Sequence, residues 1–299
     1  MQILVSGSTG LIGKALVSSL TEAGHEVIRL VRSQPGPGGR DVQWDPSTGR
    51  LDSSRLEGLD SAVHLAGESI AQGRWTAEKK ARIRNSRVKG TQLLAEALAQ
   101  RARPPQTLIC SSGIGYYGDR GAEIVREESS PGSGFLPEVC REWEAAAKPA
   151  ADRGIRVVNL RTGLVLSSNG GALPRMLTPF KLGIGGKLGT GQQYMSWISI
   201  DDMVSIIHHA LERDNLHGPV NAVSPHPVTN LEFTRTLGRV LSRPTLFPVP
   251  AFAVRLMFGE MGQGLLLDST RVEPARLAAS GYLFRYPELD GALRHVLGK

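Results

Sequence analysis

The sequence contains few cysteines, only Cys110 and Cys140 among 299 residues. Two cysteines are too few for a disulfide framework, and their spacing does not match that of metal ligands. We therefore expect no metal site. Cys110 lies in an apolar run and is predicted to be a small buried side chain, and Cys140 is expected to be buried in a helix rather than to act as a reactive thiol.

Long apolar segments are also lacking. No apolar run approaches the roughly 20 residues that a membrane-spanning helix needs. The first residues, Met1–Val5, enter a strand-like run directly, without the basic region and cleavage site of a signal peptide. From these two absences we expect a cytoplasmic protein with no membrane partner.

The sequence has fewer acidic than basic residues, 28 against 35, which gives a formal net charge of +7. Such a balance favours an anionic partner. Because no nucleic-acid-binding motif accompanies the charge, we expect no nucleic acid. Much of the charge lies between Arg74 and Lys89 in one predicted helix. That helix presents either a solvated face or a positive wall beside a phosphate-bearing ligand.

Strand-like and helical patterns alternate through the first two thirds of the chain. This alternation predicts an α/β fold of the Rossmann type, with a doubly wound parallel sheet and helices on both faces. The predicted strands are Gln2–Ser6, Glu26–Val31, Asp41–Trp44, Ala62–Leu65, Thr107–Ser111, Arg156–Leu166 and Val220–Val223. The predicted helices are Leu11–Ala23, Thr76–Arg101, Gly134–Arg153, Ala172–Leu182, Ser199–Leu211 and Asn230–Leu241. A turn-rich stretch, Pro35–Gly39, precedes the third strand.

The pattern changes after Ser167, where glycine-rich stretches appear. We predict a Rossmann domain over residues 1–167, to which the segment around 196–225 returns. Residues 168–195 and 226–299 are predicted to form a smaller, interleaved C-terminal lobe. The glycine-rich stretch 183–191 is a candidate lid, and Gln193 and Trp197, which follow it, are candidates to line a substrate pocket.

The most specific motif is Gly7-Ser8-Thr9-Gly10-Leu11-Ile12-Gly13, which directly follows a predicted strand and opens a predicted helix. The first glycine permits a tight turn, the second lets the backbone approach a pyrophosphate, and the third lets the helix pack on the strand. The helix N-terminus offers free N–H groups and a partial positive charge to the phosphates. Six positions of this turn are predicted to bind the cofactor: Gly7, Thr9, Gly10, Leu11, Ile12 and Gly13.

The second strand indicates which dinucleotide is bound. An NAD site usually has an acidic residue at the end of this strand to bind the ribose 2′-hydroxyl. Here the strand ends in Arg32-Ser33, and no acid occurs from Arg29 until Asp41. Because a guanidinium can bind a 2′-phosphate through two hydrogen bonds, the sequence predicts NADP(H), with Arg32 and Ser33 as contacts and Arg40 as a second cation.

The G-x-x-G-x-x-G spacing resembles that of extended short-chain dehydrogenases/reductases. In that superfamily a strand end similar to Leu65-Ala66-Gly67 passes close to the adenine ribose. The run Arg87-Val88-Lys89-Gly90-Thr91 resembles the superfamily's N-V-x-G-T helix, with Arg87 at the asparagine position. The resemblance makes Leu65, Ala66, Gly67, Arg82, Arg87 and Ser111 candidate cofactor contacts.

Several segments together resemble one subgroup, the atypical short-chain reductases called epimerase family proteins. The segments are Leu65-Ala66-Gly67-Glu68, Gly115-Tyr116-Tyr117-Gly118, Trp143-Glu144-Ala145-Ala146, Arg161-Thr162-Gly163-Leu164-Val165-Leu166 and Ser196-Trp197-Ile198. The tail Pro248–Leu297 is similar to the subgroup's C-terminal module. The resemblance implies a Rossmann fold and NADP(H) binding, and leaves the substrate open.

The catalytic tyrosine–lysine pair of the superfamily is missing. None of the five tyrosines is followed four residues later by lysine. If Glu144 is aligned with the superfamily's downstream glutamate, the tyrosine position falls on Leu136 and the lysine position on Cys140. The standard residues therefore cannot be transferred to this chain.

Three polar residues just after the strand Thr107–Ser111 could replace the missing groups. Ser112, Tyr116 and Tyr117 follow the carboxyl end of a strand, where ligands meet an open α/β sheet. We hypothesise that Ser112 and one of the two tyrosines act in catalysis, the alternative for the tyrosines being edge packing. The first hypothesis for function is an NADP(H)-dependent oxidoreductase or epimerase acting on a small substrate, as a monomer or homodimer. The second is a protein that binds NADP(H) without turnover.

Overall fold

A large parallel sheet built from the alternating apolar runs forms the centre of the molecule. The structure is a computed structural model that describes residues 1–34 and 40–299, so the turn predicted over Pro35–Gly39 lies outside the described residues. The eight strands of this sheet are β1 (Gln2–Ser6), β2 (Glu26–Val31), β3 (Val42–Asp45), β4 (Arg50–Leu51), β5 (Ser61–His64), β6 (Thr107–Gly113), β8 (Arg156–Thr162) and β12 (Gly218–Ala222).

The strand order is β12-β8-β6-β5-β1-β2-β3-β4, and every neighbouring pair is parallel except β3 and β4. The strands that directly follow β1 in the chain, β2 and β3, lie on one side of it, whereas β5 lies on its other side. The direction of the strand order therefore reverses at β1. At such a switch point the loops leave a crevice beyond the carboxyl ends of the strands. The predicted doubly wound α/β fold is therefore confirmed.

The helices cover both faces of the sheet. Their bounds are α1 (Leu11–Glu22), α2 (Ala77–Ala99), α3 (Phe135–Ala145), α4 (Lys148–Asp152), α5 (Leu173–Lys181), α6 (Ile200–Glu212), α7 (Asn230–Leu241), α8 (Ala251–Phe258), α9 (Glu260–Gly262), α10 (Ala275–Ala279) and α11 (Leu289–Leu297). Apolar side chains of α1 and α6 pack on one face, whereas those of α2 and α4 pack on the other. A third cluster joins α5, α7 and α11 within the second half of the chain. The division into domains at residue 167 stays a prediction.

Six further short strands of the described residues lie outside the central sheet. They are β7 (Ile124–Val125), β9 (Leu164–Leu166), β10 (Tyr194–Met195), β11 (Trp197–Ser199), β13 (Val228–Thr229) and β14 (Arg271–Val272). Three separate pairs result, β9 with β11, β10 with β13, and β7 with β14. Since β7 lies in the first half and β14 in the tail, this pair joins the tail to the first half of the chain.

Two elements differ from the sequence-based expectation. The strand predicted over Arg156–Leu166 is divided in two, because β8 ends at Thr162 and Leu164–Leu166 pair with β11 instead of with the central sheet. Only glycine fits there, since a Cβ at Gly163 would lie 2.6 Å from the carbonyl oxygen of Ser196. The helix predicted over Gly134–Arg153 is divided into α3 and α4, because Pro149 at the start of α4 cannot continue the hydrogen bonding of α3.

Candidate functional site

The turn between β1 and α1 has the geometry of a phosphate-binding loop. Gly7 has a φ of +66°, and a Cβ there would lie 2.7 Å from the carbonyl carbon of Leu65. A Cβ at Gly13 would overlap the carbonyl oxygen of Gly7. Gly10 begins the helix without a capping side chain, so the N–H groups of the first turn of α1 are left for an anion. Thr9 is exposed and Ile12 packs into the core beneath.

Segments from the second half of the chain cover this turn. The side chain of Leu11 lies next to Gly171, where a Cβ would be 3.0 Å from Leu11 Cδ2. Close by, Arg175 of α5 donates a hydrogen bond of 2.5 Å to the carbonyl oxygen of Ala71. The loop after β5 and the segment before α5 therefore meet beside the phosphate-binding turn and form an arch, which we define as residues 67–74 and 168–175.

The cations predicted to bind at the 2′-position of the cofactor come from two elements, the end of β2 and helix α2. Arg32 and Ser33 are exposed directly after β2, and Arg82 extends from α2. A hydrogen bond from Lys79, of 2.6 Å, is the largest of the effects that lower the pKa of Glu68, and the charges of Arg82 and Arg32 lower it further. Arg32 has no ion-pair partner within 4 Å among the residues that the structure describes. It is therefore left to bind a phosphate.

Arg40, the second cation expected there, lies elsewhere. It forms an ion pair with Glu26, the first residue of β2, whereas Arg32 follows the last. The two ends of a six-residue strand are too far apart for both guanidinium groups to bind one phosphate. The expectation that Arg40 adds to the site is wrong.

The end of β5 is fixed by a buried pair that sequence reasoning missed. Ser6 Oγ accepts hydrogen bonds from the backbone N–H groups of Leu65 (3.1 Å) and Ala66 (3.3 Å) and lies 2.7 Å from His64 Nδ1. With its acceptor positions occupied, the hydroxyl of Ser6 donates its hydrogen to His64 Nδ1. Burial lowers the pKa of His64 to about 4, so the ring is neutral and suited to accept it.

Arg87 supports the next residues of the same strand end. Its Nη1 donates to the carbonyl oxygens of Glu68 (2.9 Å) and Ile83 (3.2 Å), and its guanidinium lies over the ring of Trp143. A Cβ at Gly67 would be 3.4 Å from Arg87 Cζ. Arg87 thus lies beside Gly67, next to the other candidate cofactor contacts Leu65 and Ala66. Burial lowers the pKa of its side chain.

A buried hydrogen-bonded array lies at the carboxyl end of β6. Ser112 Oγ donates to Glu144 Oε1 at 2.7 Å, and Arg161 donates to both oxygens of Glu144 at 2.8 Å. Burial opposes the charge of Arg161, but the hydrogen bonds and charge of Glu144 outweigh it and raise the pKa of Arg161. Ser112 is therefore held by an ionic pair. Ser111, which precedes it on β6, points to the other face of the sheet.

The two candidate tyrosines differ in their surroundings. Tyr117 is fully buried, and its hydroxyl donates to Asn221 Oδ1 (2.7 Å) and accepts from Arg161 Nη1 (3.0 Å). Burial raises the pKa of Tyr117 to about 12. Tyr116 is half-buried, with the guanidinium carbon of Arg161 3.4 Å from its ring centroid. Its hydroxyl has no hydrogen-bond partner in residues 1–34 and 40–299.

The positions of the missing tyrosine–lysine pair are apolar. Leu136 packs against Gly115, where a Cβ would lie 3.2 Å from Leu136 Cβ. Cys140 is buried, and burial raises the pKa of its thiol to about 12. Neither residue can exchange a proton near neutral pH. The structure describes no cluster of three or more potential metal ligands within the ranges 1–34 and 40–299.

Two candidates for the substrate pocket have structural roles instead. Trp197 is fully buried and donates from Nε1 to the carbonyl oxygen of His226, so it cannot line an open pocket. Gln193 Nε2 donates to the carbonyl oxygens of Leu188 and Leu266, each at 3.1 Å. The glycine-rich stretch between 183 and 191 is itself anchored, because Gly189 N donates to Val249 O at 2.8 Å.

A parallel sheet with a glycine turn at its switch point, basic side chains beyond β2 and an ionic array beyond β6 defines a dinucleotide-binding protein of the short-chain dehydrogenase/reductase type. The model of the NAD dependent epimerase/dehydratase family matches residues 3–222, and a domain of unknown function, DUF1731, matches residues 249–296. The chain belongs to this epimerase/dehydratase family and carries the DUF1731 module at its C-terminal end.

Close relatives are called epimerase family proteins. Mb2239 of Mycobacterium bovis is 43% identical over 98% of this chain and 97% of its own length. Human SDR39U1 is 40% identical over 99% of this chain and all of its own.

Solved structures agree with these relationships. The crystal structure of human SDR39U1 (isoform 2) with NADPH has a TM-score of 0.91 at 38% identity and covers both chains fully. That of the nucleoside-diphosphate sugar epimerase from Corynebacterium glutamicum has a TM-score of 0.83 at 41% identity, covering all of this chain and 58% of the other.

None of the helices in residues 1–34 and 40–299 combines the length and the hydropathy that a membrane span requires.

Proposed function

We propose that this protein binds NADP(H) in preference to NAD(H) and uses it to oxidise or reduce a small anionic substrate, either in net turnover or transiently as an epimerase. The proposal for the cofactor is carried by Arg32 at the end of β2, an exposed guanidinium that has no ion-pair partner among residues 1–34 and 40–299. The NADPH in the human SDR39U1 structure supports it. The net charge of +7 favours an anionic substrate.

The residues of the site fit a dinucleotide. Glycines at positions 7 and 13 close the turn without side chains, and the uncapped first turn of α1 leaves N–H donors for a pyrophosphate. The strand end 65–67 would hold the adenine ribose, and Arg32 with Ser33 and Arg82 would hold the 2′-phosphate. When bound, the nicotinamide supplies the hydride acceptor or donor.

The chain's own residues must bind the substrate and exchange its proton. Because Ser112 donates its hydrogen to Glu144, its remaining lone pairs can accept a hydrogen bond from a substrate hydroxyl. Within the described part of the chain the hydroxyl of Tyr116 has no hydrogen-bond partner, whereas that of Tyr117 is engaged by Asn221 and Arg161. We assign orientation of the substrate to Ser112 and proton exchange to Tyr116, and a supporting role to Tyr117. In oxidation the phenolate form of Tyr116 would take the proton from the substrate hydroxyl, while the hydride would pass from the carbon to the bound nicotinamide. In reduction the phenol of Tyr116 would return that proton to the substrate oxygen.

Cofactor preference is tested by titrating the purified protein with NADPH and NADH. NADPH should bind more tightly, and Arg32→Ala should remove most of the difference, since a charge-assisted pair with phosphate is lost. Arg103→Ala is the matched control, because this exposed arginine lies near Glu57, away from the site. Equal affinities in the unmodified protein, or an unchanged preference in Arg32→Ala, would overturn the assignment.

The reaction is tested on a panel of anionic alcohols and carbonyl compounds that includes nucleotide-sugars, the class named for the Corynebacterium glutamicum relative. Turnover is followed by nicotinamide absorbance and by product analysis for epimers. Ser112→Ala and Tyr116→Phe should each lower kcat by roughly 10²-fold or more and leave NADPH affinity unchanged. Full turnover in both variants would refute the assignment of these residues.

A second candidate function is NADP(H) binding without turnover. It is favoured by Leu136 and Cys140, which occupy the tyrosine and lysine positions and cannot serve as acid or base. Tight NADPH binding combined with the absence of turnover on the whole panel would support this candidate over the enzyme.

A further inference from the structure

A group of strongly exposed apolar side chains lies around α8, outside the candidate cofactor and catalytic residues. Its main side chains and their exposed fractions are Leu182 (70%), Ile184 (55%), Leu246 (75%), Phe247 (56%), Phe252 (70%) and Leu256 (72%). We call these six residues the α8 surface. An isolated exposed leucine needs no explanation, but large apolar side chains that are this exposed and adjacent indicate a binding surface.

The six residues belong to two chain segments that are bonded to each other. Phe247 N donates to Gly185 O, and an isolated parallel bridge joins Leu188 to Val249. The segment around 182–184 is therefore held beside the segment around 246–247, which continues into α8. Phe252 and Leu256 are four residues apart on α8 and so share one face of that helix, while the buried residue of the helix is Val254.

The two stretches of chain that carry the α8 surface have charges of one sign only. Residues 168–200 and 242–259 contain no aspartate or glutamate. The basic residues in these two stretches are Arg175, Lys181, Lys187, Arg243 and Arg255. The next acid in the sequence, Glu260, is ion-paired with Lys80. An apolar centre with a basic border is thus presented to whatever covers it.

We propose that the α8 surface binds peripherally to a membrane that contains anionic lipids. Short helices with apolar residues on one face and basic residues beside it lie in the headgroup region, with the apolar side chains inserted by roughly 5–10 Å. Basic side chains near the surface then attract anionic headgroups. A second copy of this chain fits less well, because a two-fold interface would bring two basic borders together.

The attachment lies on the membrane and does not span it. Helix α8 has eight residues, far fewer than the roughly 20 that a spanning helix needs. The sequence-based expectation of no membrane partner was drawn from the lack of a spanning segment, and the proposal replaces it for peripheral contact. It is independent of the catalytic assignment, since none of the six side chains belongs to the candidate cofactor or catalytic residues.

The test is co-sedimentation of the full chain with two kinds of vesicle, phosphatidylcholine alone and phosphatidylcholine mixed with phosphatidylglycerol. The protein should bind the mixed vesicles at least about tenfold more tightly than the neutral ones, and high salt should weaken this binding. The double variant Phe252→Ser/Leu256→Ser should lose most of it. Leu283→Ser, which alters a side chain that is 86% exposed outside the surface, should bind as the unmodified protein does.

Two further measurements make the outcome decisive. NADPH titration of each variant confirms that the fold is retained, since the altered side chains do not contact the cofactor turn. Lys181→Glu/Arg243→Glu should abolish the preference for anionic vesicles. The proposal is overturned if neither vesicle is bound, if Phe252→Ser/Leu256→Ser binds normally, or if light scattering shows a dimer that this double variant dissociates.

Discussion

Glu144 accepts hydrogen bonds from both Ser112 and Arg161, so that one carboxylate joins the hydroxyl at the end of β6 to a buried guanidinium on β8. The side chains of Arg161 and Glu144 are 3% and 14% exposed. An ion pair at this depth is costly to break from one side, because the charge left behind has no partner and no water. The array therefore positions Ser112, and the loss of one of its two charged members alone is expected to destabilise the fold.

Arg161→Met is expected to lower the free energy of unfolding by about 3–5 kcal/mol, because it leaves the Glu144 carboxylate buried without its cation. The double variant Glu144→Leu/Arg161→Met should recover part of this loss, since it leaves neither charge unpaired. Both are measured by denaturant unfolding. The single variant Glu144→Leu completes the comparison. If the losses of stability in the two single variants simply add up in the double variant, the two side chains do not stabilise each other and the expectation is wrong.

Gly13→Ala is expected to impair both stability and NADPH binding. The added methyl group would overlap the carbonyl oxygen of Gly7. Overpacking of this kind destabilises a fold by about 1–3 kcal/mol. The backbone shift that removes the overlap would also displace the turn that receives the pyrophosphate. Gly291→Ala is the matched control, because that helical glycine has nothing within 4 Å of a Cβ and alanine favours helix. The melting temperature and the NADPH affinity of both variants are measured. Equal values for Gly13→Ala and Gly291→Ala would contradict the role of Gly13.

The sequence was sufficient to predict the fold, because the strands alternate with helices and the glycine turn has the required neighbours. It also gave Arg32, Arg82 and Arg87 as candidate cofactor contacts, through the position of a strand end and through family resemblance. The structure brings all three to Glu68, and their contact with a cofactor stays a prediction. It could not distinguish Tyr116 from Tyr117, since adjacent residues after a strand differ in burial only through tertiary packing. It also missed Ser6 and His64, because an apolar strand with one polar residue carries no signal of a hydrogen bond across the sheet.

His64 is expected to make the free energy of unfolding depend on pH in the acidic range. Burial lowers its pKa in the folded protein to about 4, from an ordinary value of 6.5. The unfolded chain therefore binds a proton between these two pH values while the folded protein does not, so stability from this group is complete above pH 6.5 and falls toward pH 4 by about 3 kcal/mol. His64→Gln should flatten this part of the pH profile of unfolding. His217→Gln, which changes an exposed histidine, should leave the profile unchanged.

Arg175→Ala is expected to speed the release of NADPH. Its bond to the carbonyl oxygen of Ala71 joins the two halves of the arch beside the phosphate-binding turn, and a cofactor held beneath an arch leaves only when the arch opens. Loss of one hydrogen bond from a charged donor, worth about 1.5–3 kcal/mol, should raise the dissociation rate roughly tenfold or more. Stopped-flow displacement of NADPH by excess NADP⁺ measures this rate. Arg153→Ala, at an exposed position after α4, is the control for loss of a surface charge, and equal rates in the two variants would show that the arch does not limit exchange.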